Sequence, residues 1–319
     1  MYKLTRVLFL NVLTSLHAGG GSELGIVDLP IQREGHTGFP KIESSSLKGS
    51  LRNAIESSSD ISEYTVAQIF GSEDPEDIFA SAVAFSDVRL LFFPVRSAKG
   101  VFAFVTCPMV LRRFFNDMEL GEMPELSKPF DLSNYPVVTA TAKSDLVIST
   151  DGECKVMLEE YVYSVTVEKN TDDAFSEFLD QLLKFLPSNE LLKSQLKSHA
   201  ILVSDDDFAD FVQLSTEVVT RIKIDNSSGT VSGQALFNEE YLPPESIMYS
   251  VVFISDAYRS QKETGRTAHH SKNAEEIASE LEKCIPPVFQ IGANQTLGKG
   301  FVASKLVSGG VENGQRYRK

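Results

Sequence analysis

The sequence has little cysteine, no tryptophan and no long apolar run. Its 319 residues include three cysteines, Cys107, Cys154 and Cys284, which lie far apart and form no CxxC or Cys/His pattern. They support neither a disulfide framework nor a structural zinc site, and they favour a reducing compartment inside the cell. No segment approaches the ~18 apolar residues that a membrane helix needs. We therefore expect a cytoplasmic protein with no membrane partner.

Positive charge is also scarce, but its distribution is uneven. The net charge is −14 at pH 7, yet residues 1–52 carry six Lys/Arg against four Asp/Glu, and residues 257–319 carry ten against six. The intervening residues 53–256 carry fourteen against thirty-four. If the two ends fold together, they form a locally positive groove on an acidic body, which keeps a nucleic-acid partner open. The alternative is an acidic surface that is simply solvated.

The first eighteen residues allow two interpretations. Lys3 and Arg6 precede the apolar run VLFLNVLTSL, which is how a secretory signal peptide begins. However, Asn11 and other polar residues interrupt the run, and glycines follow its β-branched and aromatic residues at once. These features predict a buried β-strand over about residues 2–16 instead.

An irregular loop follows this strand. Gly19, Gly20 and Gly21 permit positive φ and the close approach of the backbone to a ligand. Residues 22–45 show no sustained periodicity, but they contain Asp28 and other polar groups among apolar residues. Loops of this length inside a domain are usually functional or disordered. The apolar anchors favour an ordered, functional loop.

The loop leads into SSSLKGSLRNAIESS, which we predict to be a helix capped by one of residues 44–46. Apolar residues recur every four positions from Leu47 and should pack inward, so Lys48 and Arg52 share a more exposed face. A capped helix N-terminus with two cations suits a phosphate. An ordinary amphipathic surface helix explains the same residues.

Further elements follow from periodicity. We predict paired strands over 81–95 and 100–107, helices over 108–118, 173–186 and 189–198, an irregular insertion over 121–155, a β-hairpin over 220–237 that turns at NSSG, an apolar strand over 246–255 and a helix over 273–284. Another helix begins at Asp205, Asp206 and Asp207. Three adjacent carboxylates suggest Mg²⁺, but capping and compensation of the helix dipole explain them more simply, and we predict capping.

Acidic and aromatic side chains gather at the end of the hairpin. Glu239, Glu240 and Tyr241 precede two prolines, which stop the strand and leave these side chains at its end. They are either functional residues or an ordinary, fully bonded strand terminus.

A glycine-rich loop lies near the C-terminal end, between two predicted strands. It contains Gly292, Gly298, Lys299 and Gly300. It does not match a nucleotide P-loop, because GKG followed by Phe301 stands where GK[ST] at the start of a helix is required. Close backbone approach to a polyanion remains open to it.

The order of these elements predicts an α+β fold. It is the order of a ferredoxin-like (RRM-like) βαββαβ palm with large insertions. We assign the palm to about residues 1–110 and 245–319, and a helical region with a thumb-like β-hairpin to about residues 111–244. All of these belong to one domain over 1–319.

Three motifs together resemble one protein family. LHAGGGSELGIVDLPIQREGHTGFPKIESSSLKGSLR, TRIKIDNSSGTVSGQALFNEEYLPPES and IGANQTLGKGF resemble the RAMP superfamily of CRISPR proteins, and within it the backbone subunits of type III-B (Cmr) effector complexes. The likeness spans nearly the whole chain. It implies a subunit that binds guide RNA, polymerises with its own copies beside other subunits, and cleaves complementary target RNA at regular intervals.

The resemblance also implies roles for individual residues. Asp28 takes the place of the family's cleaving aspartate, with His17, Glu239 and Tyr241 as its companions. The RNA-binding residues that we predict are Ser45, Ser46, Lys48, Arg52, Gly19, Gly20, Gly298, Lys299 and Gly300.

RNA carries its own nucleophile, the 2′-hydroxyl. Cleavage therefore needs in-line geometry, a proton acceptor and stabilisation of the phosphoryl charge. Asp28 can serve as the base or as the one protein ligand of a Mg²⁺ or Mn²⁺ ion that keeps several waters. We expect a 2′,3′-cyclic phosphate or 3′-phosphate and a 5′-hydroxyl. The alternatives are a scaffold that coats RNA without cleaving it, and a secreted or surface β-rich binding protein.

Overall fold

The structure is a computed structural model that describes residues 2–21, 27–58, 61–75, 78–128, 130, 132, 138–150, 152–169, 173–187, 189–224, 227, 231–258 and 271–309. Two sequence predictions fall partly outside these ranges. The predicted NSSG turn lies outside them except for residue 227, and so do residues 259–270 and 310–319 of the basic C-terminal region.

Seven α-helices and sixteen β-strands form within the described residues, as expected for an α+β fold. The helices are α1 (Ser44–Ser58), α2 (Glu63–Phe70), α3 (Pro108–Leu120), α4 (Ala174–Leu182), α5 (Glu190–His199), α6 (Asp205–Leu214) and α7 (Ala274–Cys284). The strands are β1 (Leu4–Val12), β2 (Lys41–Ile42), β3 (Val83–Phe85), β4 (Val88–Arg96), β5 (Phe102–Thr106), β6 (Thr139–Ala140), β7 (Ile148–Thr150), β8 (Glu153–Leu158), β9 (Tyr161–Ser164), β10 (Thr166–Val167), β11 (Ala200–Leu202), β12 (Glu217–Ile224), β13 (Val231–Tyr241), β14 (Ile247–Ile254), β15 (Val288–Gln290) and β16 (Phe301–Val307). None of these helices is long and apolar enough to cross a membrane.

β1 lies at the centre of an 11-stranded sheet. The main path of the sheet runs β10-β6-β11-β5-β4-β14-β1-β16-β15, with β2 beside β4 and β3 beside β14. β1 pairs antiparallel with both β14 and β16. Val7, Leu8, Phe9 and Leu10 have no exposed surface, because alternating side chains of a covered central strand are buried on both faces. The strand predicted for the N-terminal apolar run is confirmed, within the shorter bounds of β1.

Helices pack against the central strands. Phe114 of α3 contacts Phe9 of β1 with 6.3 Å between ring centroids, and packs edge-to-face with Tyr249 of β14 at 5.0 Å. α7 contacts the same two strands. α1 completely buries Leu47 and the apolar residues four and eight positions later. The inward face that the four-residue spacing predicted is therefore confirmed.

The insertion contributes more strands than the sequence predicted. The irregular segment predicted over 121–155 is wrong in part, because β6, β7 and the start of β8 lie within it. β11 pairs with β5 and brings β6 and β10 into the main sheet, while β7, β8 and β9 form a separate three-stranded sheet. Strands of two or three residues are too short to show alternation in the sequence.

Two further predictions for this part of the chain are confirmed. β12 and β13 form the predicted antiparallel hairpin. At the start of α6, Ser204 Oγ accepts the Asp207 N–H at 3.0 Å. Asp205 Oδ1 accepts the N–H of Met109, at the start of α3, at 2.7 Å. The aspartates thus belong to helix starts, as predicted.

Candidate functional site

Three of the sequence motifs converge at the end of β13. The chain beyond β1 pairs with the chain beyond β13, because Leu16 and Leu242 exchange two backbone hydrogen bonds of 2.9 and 2.8 Å. The glycine-rich loop closes on the same stretch: Ala293 N–H donates to the His17 carbonyl at 2.9 Å, and Gly300 N–H donates to Ser15 O at 3.0 Å. Residues near positions 17, 240 and 294 therefore meet in one place.

His17 is held inside this junction. It is 5% exposed, and its Nδ1 lies 2.7 Å from the backbone oxygen of Glu240. A carbonyl oxygen only accepts, so Nδ1 carries a proton and donates. Nε2 faces Glu239, whose Oε1 lies 3.7 Å away. The edge of the ring packs on Tyr241, with 5.7 Å between centroids.

Glu239 is a buried carboxylate with several donors. It accepts the Tyr241 hydroxyl at 2.6 Å and the Asn294 amide at 2.6 Å, and Arg221 Nε lies 2.6 Å from its Oε2. Burial raises the pKa of Glu239, but the hydrogen bonds from Tyr241 and Asn294, with His17 and Arg221 nearby, outweigh it and lower the pKa below its usual value. The carboxylate therefore remains charged inside the junction.

Tyr241 has no exposed surface. Its hydroxyl also accepts hydrogen bonds from Arg221 and, at 3.1 Å, from the Asn294 amide. Lys299 Nζ lies 4.9 Å from the centroid of the ring. Burial, followed by the hydrogen bond to Glu239, raises the pKa of the phenol, so it stays protonated and donates. We call His17, Arg221, Glu239, Tyr241 and Asn294 the buried cluster.

Asp28 makes no side-chain hydrogen bond to the buried cluster, and it is exposed. Its Oδ2 accepts the backbone N–H of Asn238 at 2.7 Å. The next residue bonds to the same strand, because Leu29 N–H donates to Asn238 O at 3.0 Å and Glu240 N–H donates to Leu29 O at 3.0 Å. The four predicted catalytic residues therefore adjoin the end of one strand, with three of them buried and Asp28 facing solvent.

The glycines after β1 are exposed, as a backbone contact with a ligand requires. A Cβ at Gly19 would lie 2.9 Å from His17 Nε2, so only glycine fits there without displacing the ring. Gly20 N–H donates to Pro30 O at 2.8 Å, which ties this turn to the Asp28 segment. In the glycine-rich loop, Gly298 is exposed while Gly300 is buried.

The two cations of α1 differ in their surroundings. Lys48 is half-buried, and burial followed by the charge of Arg52 lowers its pKa. No carboxylate of the described residues forms an ion pair with it. Arg52 is paired twice, through Nε with Glu56 at 2.8 Å and through Nη1 with Glu73 at 2.8 Å. Lys48 thus lacks a counter-charge in this part of the chain, whereas Arg52 has two.

The predicted serine cap of α1 is wrong. Ser44 is already helical, and its N–H donates to Asp87 Oδ1, before β4, at 2.9 Å. A carboxylate therefore occupies part of the helix N-terminus that was predicted to hold phosphate. Ser45 is exposed, and Ser46 Oγ accepts a hydrogen bond of 3.4 Å from Gln32.

Comparison with known proteins places this geometry in a family. The family model described as the RAMP superfamily matches residues 9–303. The chain belongs to the RAMP superfamily.

Individual relatives match this RAMP protein over most of their length. It is 37% identical over 298 residues to the CRISPR system Cmr endoribonuclease Cmr4 of Pyrococcus furiosus, covering 93% of this chain and 94% of that protein. It is 28% identical over 315 residues to the CRISPR system CMR subunit Cmr4 of Saccharolobus solfataricus, covering 94% and 96%. The crystal structure of oligomeric Cmr4 from Pyrococcus furiosus has a TM-score of 0.67 at 30% identity, covering 95% of this chain and 98% of that one.

Two members of the buried cluster in this RAMP protein were not picked out by sequence reasoning. Arg221 and Asn294 both bond to Glu239, yet they lie on other elements of the fold. Arg221 stood in the quoted motif TRIKID, where an exposed strand position explains an arginine equally well. Asn294 stood between the loop glycines, and only its left-handed backbone, with φ of 65°, marks it as unusual.

A divalent ion would find one protein ligand on the exposed side of the site. Within the described residues, no group of three or more His, Cys, Asp or Glu side chains is placed to hold a metal. Asp28 uses Oδ2 for Asn238, and no bond to its Oδ1 involves the described residues. Asp28 is the residue that would hold a Mg²⁺ or Mn²⁺ ion, and such an ion usually keeps several waters when a protein offers it one carboxylate.

Proposed function

We propose that this protein is the guide-RNA-binding backbone subunit of a type III-B CRISPR effector complex, and that it cleaves target RNA paired with the guide. The observation that carries the proposal is the exposed carboxylate of Asp28, fixed by the Asn238 N–H on the segment behind the first strand. The name of the Pyrococcus furiosus relative, a Cmr endoribonuclease at 37% identity, supports the same activity.

We also propose that the fold is a ferredoxin-like palm with insertions, in one domain over 1–319. The strand order β16-β1-β14-β4 supports this, since it is the 4-1-3-2 order of a βαββαβ unit. α1 and α2 lie between β1 and β4 in sequence, and α7 lies between β14 and β16. The hairpin of β12 and β13 leaves the palm as the thumb-like insertion, and its second strand returns to the site.

The reaction that suits this site is attack by the RNA's own 2′-hydroxyl on the neighbouring phosphate. Asp28 accepts the hydroxyl proton, and the exposed glycines let the RNA backbone approach. If Asp28 held a Mg²⁺ or Mn²⁺ ion instead of acting as the base, that ion would supply positive charge for the phosphoryl oxygens. The bond to the 5′-oxygen breaks and this oxygen takes a proton from water, which leaves a 2′,3′-cyclic phosphate on one fragment and a 5′-hydroxyl on the other.

The residues of the buried cluster act as positioning residues in this proposal. His17, Glu239 and Tyr241 are each at most 5% exposed, so a bound strand does not reach them directly. They fix the end of β13, whose residues 238–240 hold the Asp28 segment. Of the four predicted catalytic residues, Asp28 is therefore the reacting group. The other three position the strand end to which the Asp28 segment is bonded.

Guide RNA is held by α1 and by the glycine-rich loop. Lys48, with no carboxylate partner among the described residues, is the cation that is free to take a phosphate, and Lys299 and the exposed Gly298 add a second contact region. Target RNA, further copies of the chain and other subunits complete the assembly. We place this activity in the cytoplasm, where a guide meets its target transcripts.

The decisive experiment is single-turnover cleavage by an assembled complex that carries Asp28→Asn or Asp28→Ala. We expect loss of cleavage by at least about 10³-fold, as for other essential reacting groups, while assembly and target binding are retained. Analysis of the fragment ends should show a 5′-hydroxyl. Cleavage at the wild-type rate would leave only the RNA-coating scaffold, and 5′-phosphate ends would refute the 2′-hydroxyl mechanism.

A further inference from the structure

Glu240 faces away from the buried cluster. Neighbouring side chains of a strand point to opposite faces, so Glu239 turns toward His17 while Glu240 turns toward the Asp28 segment. Glu240 is 5% exposed. Its Oε2 accepts the backbone N–H of Ile31 at 3.0 Å, and its Oε1 accepts the hydroxyl of Thr216 at 2.7 Å.

Arg33 binds the same carboxylate. Its Nη2 lies 2.5 Å from Glu240 Oε1. Its Nη1 donates to Gly38 O at 2.8 Å and to Val212 O, in α6, at 3.0 Å. One guanidinium therefore joins the end of β13, the tip of the loop and a helix of the insertion. The side chain is 22% exposed, so these are partly desolvated, charge-assisted hydrogen bonds.

The Asp28 segment is held by separate contacts and not by a continuous ladder. Residues 27–40 form isolated bridges and a turn and no helix or continuous strand. Backbone bonds tie Leu29 to β13, Pro30 to Gly20 and Gln32 to Ala18, and the side chain of Ile31 is buried. The carboxylate of Glu240 then holds the N–H of Ile31, three residues after Asp28. A segment with so few ladder hydrogen bonds depends on such side-chain contacts for its position.

We propose that Glu240 and Arg33 form a latch that positions Asp28 for cleavage without touching the RNA, an inference that rests on the proposed ribonuclease function. The latch holds residues 29–33, which follow Asp28 in the loop. The Asn238 N–H binds the Asp28 carboxylate itself. Loss of the latch lets residues 29–33 move. A misplacement of about 1 Å at a reacting group can cost about 10²-fold in rate.

The test compares latch variants with a matched control in the assembled complex. Glu240→Gln and Arg33→Ala remove either side of the ion pair, and the double variant removes both. Arg113→Ala is the control, because Arg113 also pairs with a glutamate of this loop, Glu34, at 2.8 Å, but beyond Arg33 from Asp28. The mild Glu240→Gln change guards against a variant that simply fails to fold.

We expect each single latch variant to lower the single-turnover rate at saturating target by about 10- to 100-fold. Target affinity should stay within about twofold. The double variant should be no slower than the slower single variant, because residues that act as a unit are not additive. Arg113→Ala should cleave within about threefold of wild type, because its ion pair with Glu34 lies farther along the loop from Asp28.

Hydrogen exchange provides a second readout that does not depend on cleavage. In both latch variants, amides of residues 28–33 should exchange at least about tenfold faster, while those of β1 and β14 keep wild-type rates. Wild-type cleavage in the latch variants, or faster exchange throughout the chain, would overturn the latch. Should Asp28→Ala still cleave, the nuclease assignment fails by itself, and the exchange data still report whether the latch holds the segment.

Discussion

The side chains on the two sides of the end of β13 differ in solvent exposure and in hydrogen bonding. On one side, Asp28 is exposed and bonds to the strand through a single backbone N–H. On the other side, His17, Glu239 and Tyr241 are buried. Tyr241 and Asn294 donate to Glu239, Arg221 forms an ion pair with it, and His17 packs on Tyr241. The sequence motifs grouped these four side chains together, but their solvent exposure separates them. Asp28 can contact RNA, whereas the three buried side chains can only support it.

The buried side should be the more sensitive to added volume. Gly292 has φ of +83°, and a Cβ there would collide with the backbone oxygen of His17. Gly298 has φ of +74° but open space around it. We expect Gly292→Ala to lower the free energy of unfolding by about 3 kcal/mol, from left-handed strain plus overpacking, and Gly298→Ala by only about 1 kcal/mol. Urea unfolding measures both. Equal losses would mean that the glycine-rich loop does not depend on its fit against His17.

Removing one hydroxyl should have a smaller effect. Tyr241→Phe deletes the hydrogen bond to Glu239 but keeps the ring, so we expect a loss of about 1–2 kcal/mol in the free energy of unfolding. Cleavage in the assembled complex should fall about 10-fold, the rate equivalent of roughly 1.4 kcal/mol. Tyr258→Phe, at an exposed tyrosine, is the control. A loss of cleavage as complete as that of Asp28→Ala would place Tyr241 among the reacting groups. The buried side chains would then do more than support Asp28.

The two cations of α1 differ in their ion-pair partners. Lys48→Ala should reduce the salt slope of RNA binding by about 0.7, the value for one phosphate contact on a single strand. Arg52→Ala should reduce it by less, because Glu56 and Glu73 already neutralise Arg52. Binding measured across a series of salt concentrations reports both slopes. Equal reductions would show that a phosphate draws Arg52 away from its carboxylates.

The smallest effect should appear only in acid. The pKa of Glu239 is lowered in the folded protein from its ordinary 4.5, so its ionised form contributes stability above that value and loses it as the pH falls through the folded pKa. Urea unfolding of wild type and Glu239→Gln at several pH values would show the difference between them narrow as the pH drops below 4.5. A difference that is constant with pH would mean that the charge of Glu239 is not what stabilises the buried cluster.

Local signals account for what the sequence predicted well. The apolar runs of β1 and β14, the four-residue spacing of α1 and the alternating hairpin are each visible within a short window. The missed features join distant parts of the chain. Asn294 reaches Glu239 across 55 positions, and Asp87 replaces the predicted serine cap from 43 positions away. A helix start looks the same in sequence whether a serine or a distant carboxylate binds it.

The central position of β1 bears on how the chain is made. β1 lies near the start of the sequence, but both of its partners, β14 and β16, lie between residues 247 and 307. While the ribosome is still adding the insertion, this apolar strand has neither neighbour and both of its edges are open to other chains. Because such long-range pairing is slow and leaves strands prone to aggregation, we expect folding yield to depend on chaperones and on an intact C-terminal region.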